Sequence, residues 1–150
     1  METLKIYTDG ACSGNPGVGG WAALLLYGTA KKEISGFDPD TTNNRMELLA
    51  VIEGLKAVKP KPNLKVEVYS DSAYLVNAVN QNWLTNWQNN NWRTSDKKDV
   101  KNKDLWLELI ELNNRLSPTY IKVKGHSDNP YNNRCDELAV AETKKAKMLS

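Results

Sequence analysis

A strand-like run, Lys65-Val66-Glu67-Val68-Tyr69-Ser70, is fenced on both sides by helical patterns. Upstream, Leu48, Leu49, Ile52 and Leu55 form one apolar stripe, and Lys59-Pro60-Lys61-Pro62-Asn63 ends it. Downstream, Ser72 is a good N-cap for a short helix over residues 73–80. Such a strand cannot pair through a tight hairpin with its neighbours in sequence. It needs crossover connections, which favour parallel pairing. Open sheets of this kind place their sites beyond the carboxyl ends of the strands.

The rest of the chain fits around that unit. Residues 3–9 alternate like a strand, and residues 10–20 are Gly-rich around Asn15-Pro16, which predicts a loop. Trp21 to Tyr27 is a continuous apolar run, short enough for a buried strand. Gly28-Thr29 turns it into a weaker antiparallel strand ending near Phe37, and Asp38-Pro39 breaks the pattern. Thr41 to Asn44 supply caps for the first helix, which runs to about Val58. A polar stretch from Trp83 to Lys103 precedes a helix over about 105–116, with Leu105, Trp106, Leu109, Leu112 and Leu116 as core candidates. A strand at 120–124, a loop over 125–132 and a helix over about 133–147 complete the order. The prediction is one α/β domain spanning residues 1–150, a five-stranded mixed sheet with helices on both faces.

Composition narrows function only a little. Twenty basic against 18 acidic residues leave a formal charge of +2, too mild to argue for nucleic-acid binding by itself. The lysines do cluster, at Lys97, Lys98, Lys101 and Lys103 and again in a basic tail over about 144–150; a solvated face accounts for either cluster equally well. Cys12 and Cys135 make neither a disulfide framework nor a zinc spacing and read as reduced cytosolic thiols. No apolar run reaches the ~18 residues of a membrane span, and no leader pattern precedes the first strand. The expectation is a cytoplasmic, unprocessed monomer with no membrane contact.

Four acids stand at revealing positions. Asp9 and Asp71 each follow a strand-like run, and parallel neighbours would set them side by side. Glu47 shares a helix side with Ala50, Val51 and Gly54, and Asp136 shares one with Ala139 and Val140. A carboxylate on a small, apolar helix face points towards the protein, where it is costly unpaired. Crowding such groups raises their pKa, and divalent cations relieve both problems. All-oxygen ligation suits Mg²⁺, with Mn²⁺ as a substitute. Two ions bridged by one carboxylate can activate a water and stabilise a leaving oxygen at phosphorus. Spacing alone does not prove convergence, since an Asp at a strand end is often only a turn former. Ser72 beside Asp71 is better read as a cap than as a nucleophile. The lone histidine, His126, follows Gly125 in a loop; beside a metal site it has the chemistry to move protons or help release product.

The segments Tyr7-Thr8-Asp9-Gly10-Ala11-Cys12-Ser13-Gly14-Asn15-Pro16-Gly17, Thr42-Asn43-Asn44-Arg45-Met46-Glu47, Tyr69-Ser70-Asp71-Ser72, Lys124-Gly125-His126 and Arg134-Cys135-Asp136-Glu137-Leu138-Ala139 resemble, in order and over nearly the whole chain, bacterial type I ribonuclease H. The resemblance implies the ribonuclease H-like fold and Mg²⁺-dependent endonucleolytic cleavage of the RNA strand in RNA–DNA hybrids, leaving 5′-phosphate and 3′-hydroxyl ends. It implies that Asp9, Glu47, Asp71 and Asp136 bind the metal and that His126 is an auxiliary residue. It places Cys12, Asn15, Asn43 and Asn44 against the hybrid and Thr42 on a DNA phosphate. A shallow minor groove offering 2′-hydroxyls suits short polar side chains.

The same resemblance makes residues 81–103 a handle that grips the DNA strand, with Trp92, Arg93, Lys97 and Lys98 as contacts. Here the chain departs from lysine-rich relatives, because the handle core reads Gln88-Asn89-Asn90-Asn91-Trp92-Arg93. A weaker, more salt-sensitive grip is the expectation. Trp83 and Trp87 fit internal packing better than direct contact. A catalytically dead hybrid-binding module would not need all four acids. Another nuclease or strand-transfer enzyme on the same fold would not need this handle and histidine loop.

Overall fold

The computed structural model describes residues 2–94, 96–124 and 129–149. The elements run β1 (Glu2–Gly14), β2 (Gly17–Tyr27), β3 (Ala30–Thr41), α1 (Asn43–Lys56), β4 (Leu64–Ser70), α2 (Ala73–Asn80), α3 (Trp83–Asn89), α4 (Lys103–Leu116), β5 (Thr119–Lys122) and α5 (Pro130–Leu149). The sheet has five strands in the order β3-β2-β1-β4-β5. β1, β2 and β3 form antiparallel hairpins, whereas β4 pairs parallel with both β1 and β5. The crossover reading of residues 65–70 therefore holds, and the sheet is mixed as expected.

Helices cover both faces. On one, Leu4, Ile6, Ala23, Leu25, Val66 and Val68 pack with the stripe of α1 and with Trp106 and Leu109 of α4. On the other, Tyr7, Ala22 and Leu24 pack with Cys135 and Ala139 of α5. The period-two alternation of β1 divides its side chains between these layers, with Ile6 and Thr8 on one side and Tyr7 and Asp9 on the other.

Several expected boundaries need correction, among them the last strand, which runs Thr119–Lys122 and stops short of residue 124. Residues 10–20 are not a loop: β1 and β2 stay paired to Gly14↔Gly17, leaving only Asn15-Pro16 as the turn. Glycine is needed there for close approach, not for looseness. A Cβ at Gly20 would lie 2.3 Å from the Ala139 carbonyl oxygen of α5, so only glycine lets that helix settle on the sheet. β3 also continues past Asp38-Pro39 to Thr41. Its register against β2 shifts between Gly17 and Gly19, and β3 is an edge strand, the two settings in which a strand accepts proline. Finally, α5 begins at Pro130, not near residue 133. Asn129 Oδ1 accepts from the N–H groups of Tyr131 and Asn132, and proline suits the first helical position. No described helix is long and apolar enough to cross a membrane.

Candidate active site

The parallel register of β1 and β4 pairs Tyr7 with Tyr69, whose rings stack with centroids 4.5 Å apart. Two residues beyond that last parallel pair stand Asp9, inside β1, and Asp71, just past the end of β4, so the register sets the two acids side by side where the parallel ladder ends. Glu47 enters from α1, whose first turns cross β1 at Gly10. That crossing is tight: a Cβ at Gly10 would lie 2.5 Å from the Glu47 backbone nitrogen. Asp9, Glu47 and Asp71 each offer an oxygen within 4.8 Å of the others. Asp136 of α5 joins them in lining one open cavity of about 260 Å³, along with Asn43 and Ser72. The four predicted acids therefore do share one site.

Its electrostatics are unfavourable for bare carboxylates. Burial pushes Asp9 up to about 7; a hydrogen bond with Glu47 opposes that shift, and the charges of Asp71 and Asp136 add to it. Burial likewise holds Glu47 well above the usual carboxylate range, reinforced by the charge of Asp9. The Gly10 N–H donates to Glu47 Oε1 at 2.6 Å and to Asp9 Oδ1 at 3.0 Å. Glu47 Oε2 is buried and has no hydrogen-bond partner among the described residues. A buried carboxyl oxygen without a hydrogen-bond partner, in a residue clustered with two other acids, is a poor structural feature and a good hard-cation ligand. The residues present thus fit a divalent metal ion.

The other predicted residues spread around this centre. Asn15 is exposed at the β1–β2 turn. Cys12 is half-buried in the same hairpin, its Sγ 3.5 Å from the Thr41 carbonyl oxygen. The Thr42 hydroxyl accepts from the Arg45 N–H at 3.3 Å and so caps α1, a role that the phosphate assignment did not include. Asn43 lines the acidic cavity, whereas Asn44 lines a separate crevice towards the handle. His126 lies outside the described residues.

In the handle, Trp83, Trp87 and Trp92 lie ring against ring, with centroids 6.2 Å apart at each step, and Trp87 also meets buried Trp106. This matches the packing role given to Trp83 and Trp87, and it puts Trp92 in the same half-buried stack. A bridge between Arg93 and Asp99 closes a small antiparallel loop that presents Lys97 and Lys98 as exposed cations. Gly10 is the site residue that sequence reasoning missed. Its only signal was a glycine directly after a strand-end acid.

The RNase H family model matches residues 1–144. The chain belongs to the ribonuclease H family. It is therefore a nuclease, a hydrolase of phosphodiester bonds. A curated Ribonuclease H from Chlorobaculum parvum is 63% identical over 138 residues, covering 92% of this chain and 93% of the relative. One from Acetivibrio thermocellus is 60% identical over 145 residues, 97% of each chain. Among solved structures, LC9-RNase H1, described as a type 1 RNase H with the type 2 active-site motif, superposes with a TM-score of 0.85 at 27% identity, covering 97% of this chain and 74% of that one. The family's fold is thus the one expected from the strand order.

Proposed function

We propose that this chain cleaves the RNA strand of RNA–DNA hybrids by two-metal-ion hydrolysis, leaving 5′-phosphate and 3′-hydroxyl ends. The observation that carries the reading is Glu47. One of its oxygens is fixed by Gly10, the other is buried without a hydrogen-bond partner, and the carboxyl group clusters with those of Asp9 and Asp71. Bound Mg²⁺, or Mn²⁺ in its place, would polarise the scissile phosphate, lower the pKa of the attacking water and stabilise the leaving oxygen.

The chain's own residues supply position and selection. Asp9, Glu47, Asp71 and Asp136 hold the ions, and the Gly10 N–H keeps Glu47 oriented in their absence. Asn15, Asn43 and Asn44 offer short polar groups suited to 2′-hydroxyls and sugar edges, and Cys12 lies in the hairpin that carries Asn15. The carboxylate of Glu47 can also accept from a 2′-hydroxyl, which only RNA presents. Arg93, Lys97 and Lys98 meet the DNA phosphates, and base sequence is not read. Two free cysteines fit a reducing compartment, so we place the protein in the cytoplasm; one small domain is expected to act there as a monomer.

The decisive assay sets a labelled RNA–DNA hybrid beside RNA–RNA and DNA–DNA duplexes, with and without Mg²⁺. Cleavage confined to the RNA strand of the hybrid, and only with the ion, is expected; equal cutting of either homoduplex would refute the substrate assignment. His126→Ala should slow turnover by about 10²-fold, the lower end of general acid–base contributions, without abolishing it. Complete loss would make the histidine essential and the auxiliary role wrong.

A further inference from the structure

Arg45 lies between Asn44 and Met46 in the first turn of α1, yet it belongs to neither the acidic cavity nor the core. Its Nη1 donates to Asp104 Oδ1 at 3.0 Å and to Asn102 Oδ1 at 3.2 Å, and Nη2 donates to Asp104 Oδ2 at 2.8 Å. Asn102 and Asp104 flank Lys103, where the handle ends and α4 begins. Asn102 holds the N-cap position of α4, in the left-handed region at φ 64°, but makes no side-chain cap bond. Asparagine is among the best capping residues. Here its carboxamide oxygen serves Arg45 instead of the helix. A crevice of about 350 Å³ opens between the same two segments, lined by Asn44 from α1 and by Thr94, Lys98 and Asn102 from the handle.

We propose that Arg45 is a positioning residue for the handle. Its two-pronged grip on Asp104 fixes the base of the handle against the helix that carries Asn43, Asn44 and Glu47, and so sets the distance between the DNA grip and the cutting site. The inference rests on the hybrid-cleaving reading above. An ion pair whose carboxylate side chain is 65% exposed contributes little to stability. Its geometric content is larger, because a planar guanidinium on a carboxylate holds an angle as well as a distance. A lysine would keep the charge and lose the angle.

The test compares Arg45→Ala, Arg45→Lys, Asp104→Ala and the Arg45→Ala/Asp104→Ala pair. Steady-state hybrid cleavage is measured for each, with hybrid binding in Ca²⁺ over a range of salt. Each single variant should raise KM about three- to tenfold with kcat within about twofold, and the double variant should be no worse than the singles. The slope of log affinity against log salt should not change, because Arg45 neutralises no phosphate. A KM rise in Arg45→Ala alone, with Asp104→Ala silent and the slope reduced by about one, would make Arg45 a direct phosphate contact and overturn the proposal. Wild-type KM in all variants would overturn it too. Should Arg45→Ala fail to fold, Arg45→Lys and Asp104→Ala carry the comparison. A wild-type chain inactive on hybrid would instead remove the underlying function.

Discussion

Asp9→Asn should lower Mg²⁺-dependent hybrid cleavage by at least about 10³-fold, because ions at such a site supply several kcal/mol of charge stabilisation and each 1.36 kcal/mol is tenfold in rate. Binding of the hybrid in Ca²⁺ should survive, since the handle and the asparagines are untouched. The same variant should be more stable than the parent when divalent ions are removed. The sign follows from the raised pKa. Asp9 titrates near 7 in the folded protein against 3.8 ordinarily, so the folded state holds this proton more tightly than the unfolded state does. The resulting stabilisation is complete below about pH 4 and is lost as pH rises to about 7. As pH rises through about 7 the acid ionises, and its buried charge is a burden that the amide does not carry. Neutralising it should raise the Tm measured in EDTA. Added Mg²⁺ should raise the Tm of the parent and much less that of the variant. Retained Mg²⁺-dependent cleavage by Asp9→Asn would sink the site assignment, and an unchanged or lowered Tm in EDTA would sink the electrostatic account.

Much of this site is legible in the sequence, and the reasons are local. Asp9 and Asp71 both end strand-like runs, and a strand fenced by helices pairs in parallel, so their adjacency followed from topology. Glu47 followed from periodicity, because Ala50, Val51 and Gly54 on its side are all buried. Asp136 was harder. Ala139 is buried, but Val140 is exposed, so the inward face of α5 is displaced from the one the spacing suggested. What fixes that helix is the close approach of Gly20 to the Ala139 carbonyl, a long-range contact that no pattern within 133–147 records. The Gly-rich hairpin misled for a related reason. Composition favoured a loop, but the glycines are spaces into which α1 and α5 settle, and the ladder to Gly14↔Gly17 satisfies their backbone. The role of Arg45 is not legible in the sequence because its partners, Asn102 and Asp104, lie almost sixty residues away.

Gly10→Ala should harm the enzyme without removing any ligand, though less than loss of one. The added methyl would sit 2.5 Å from the Glu47 nitrogen and 2.6 Å from the Met46 carbonyl carbon. Both are backbone atoms of α1, so no side-chain rotation relieves the clash; helix and strand must part. By contrast, a methyl at Gly54 would meet the Ile6 Cγ2 methyl at 2.9 Å and the Ala23 Cβ at 3.3 Å, side-chain atoms alone. Overpacking against fixed backbone costs about 1–3 kcal/mol, and here it also lengthens the bond by which the Gly10 N–H orients Glu47. Denaturant melts should show that loss, with Gly54→Ala affected less. Cleavage at saturating Mg²⁺ should fall about 10–100-fold, since displacing a catalytic group by ~1 Å is worth up to that much. The Mg²⁺ concentration for half-maximal rate should rise as well, which separates a displaced ligand from a protein that is only less stable. Wild-type stability in Gly10→Ala would mean that β1 and α1 do not cross this closely, and wild-type Mg²⁺ dependence would mean that Gly10 does not hold Glu47 in place.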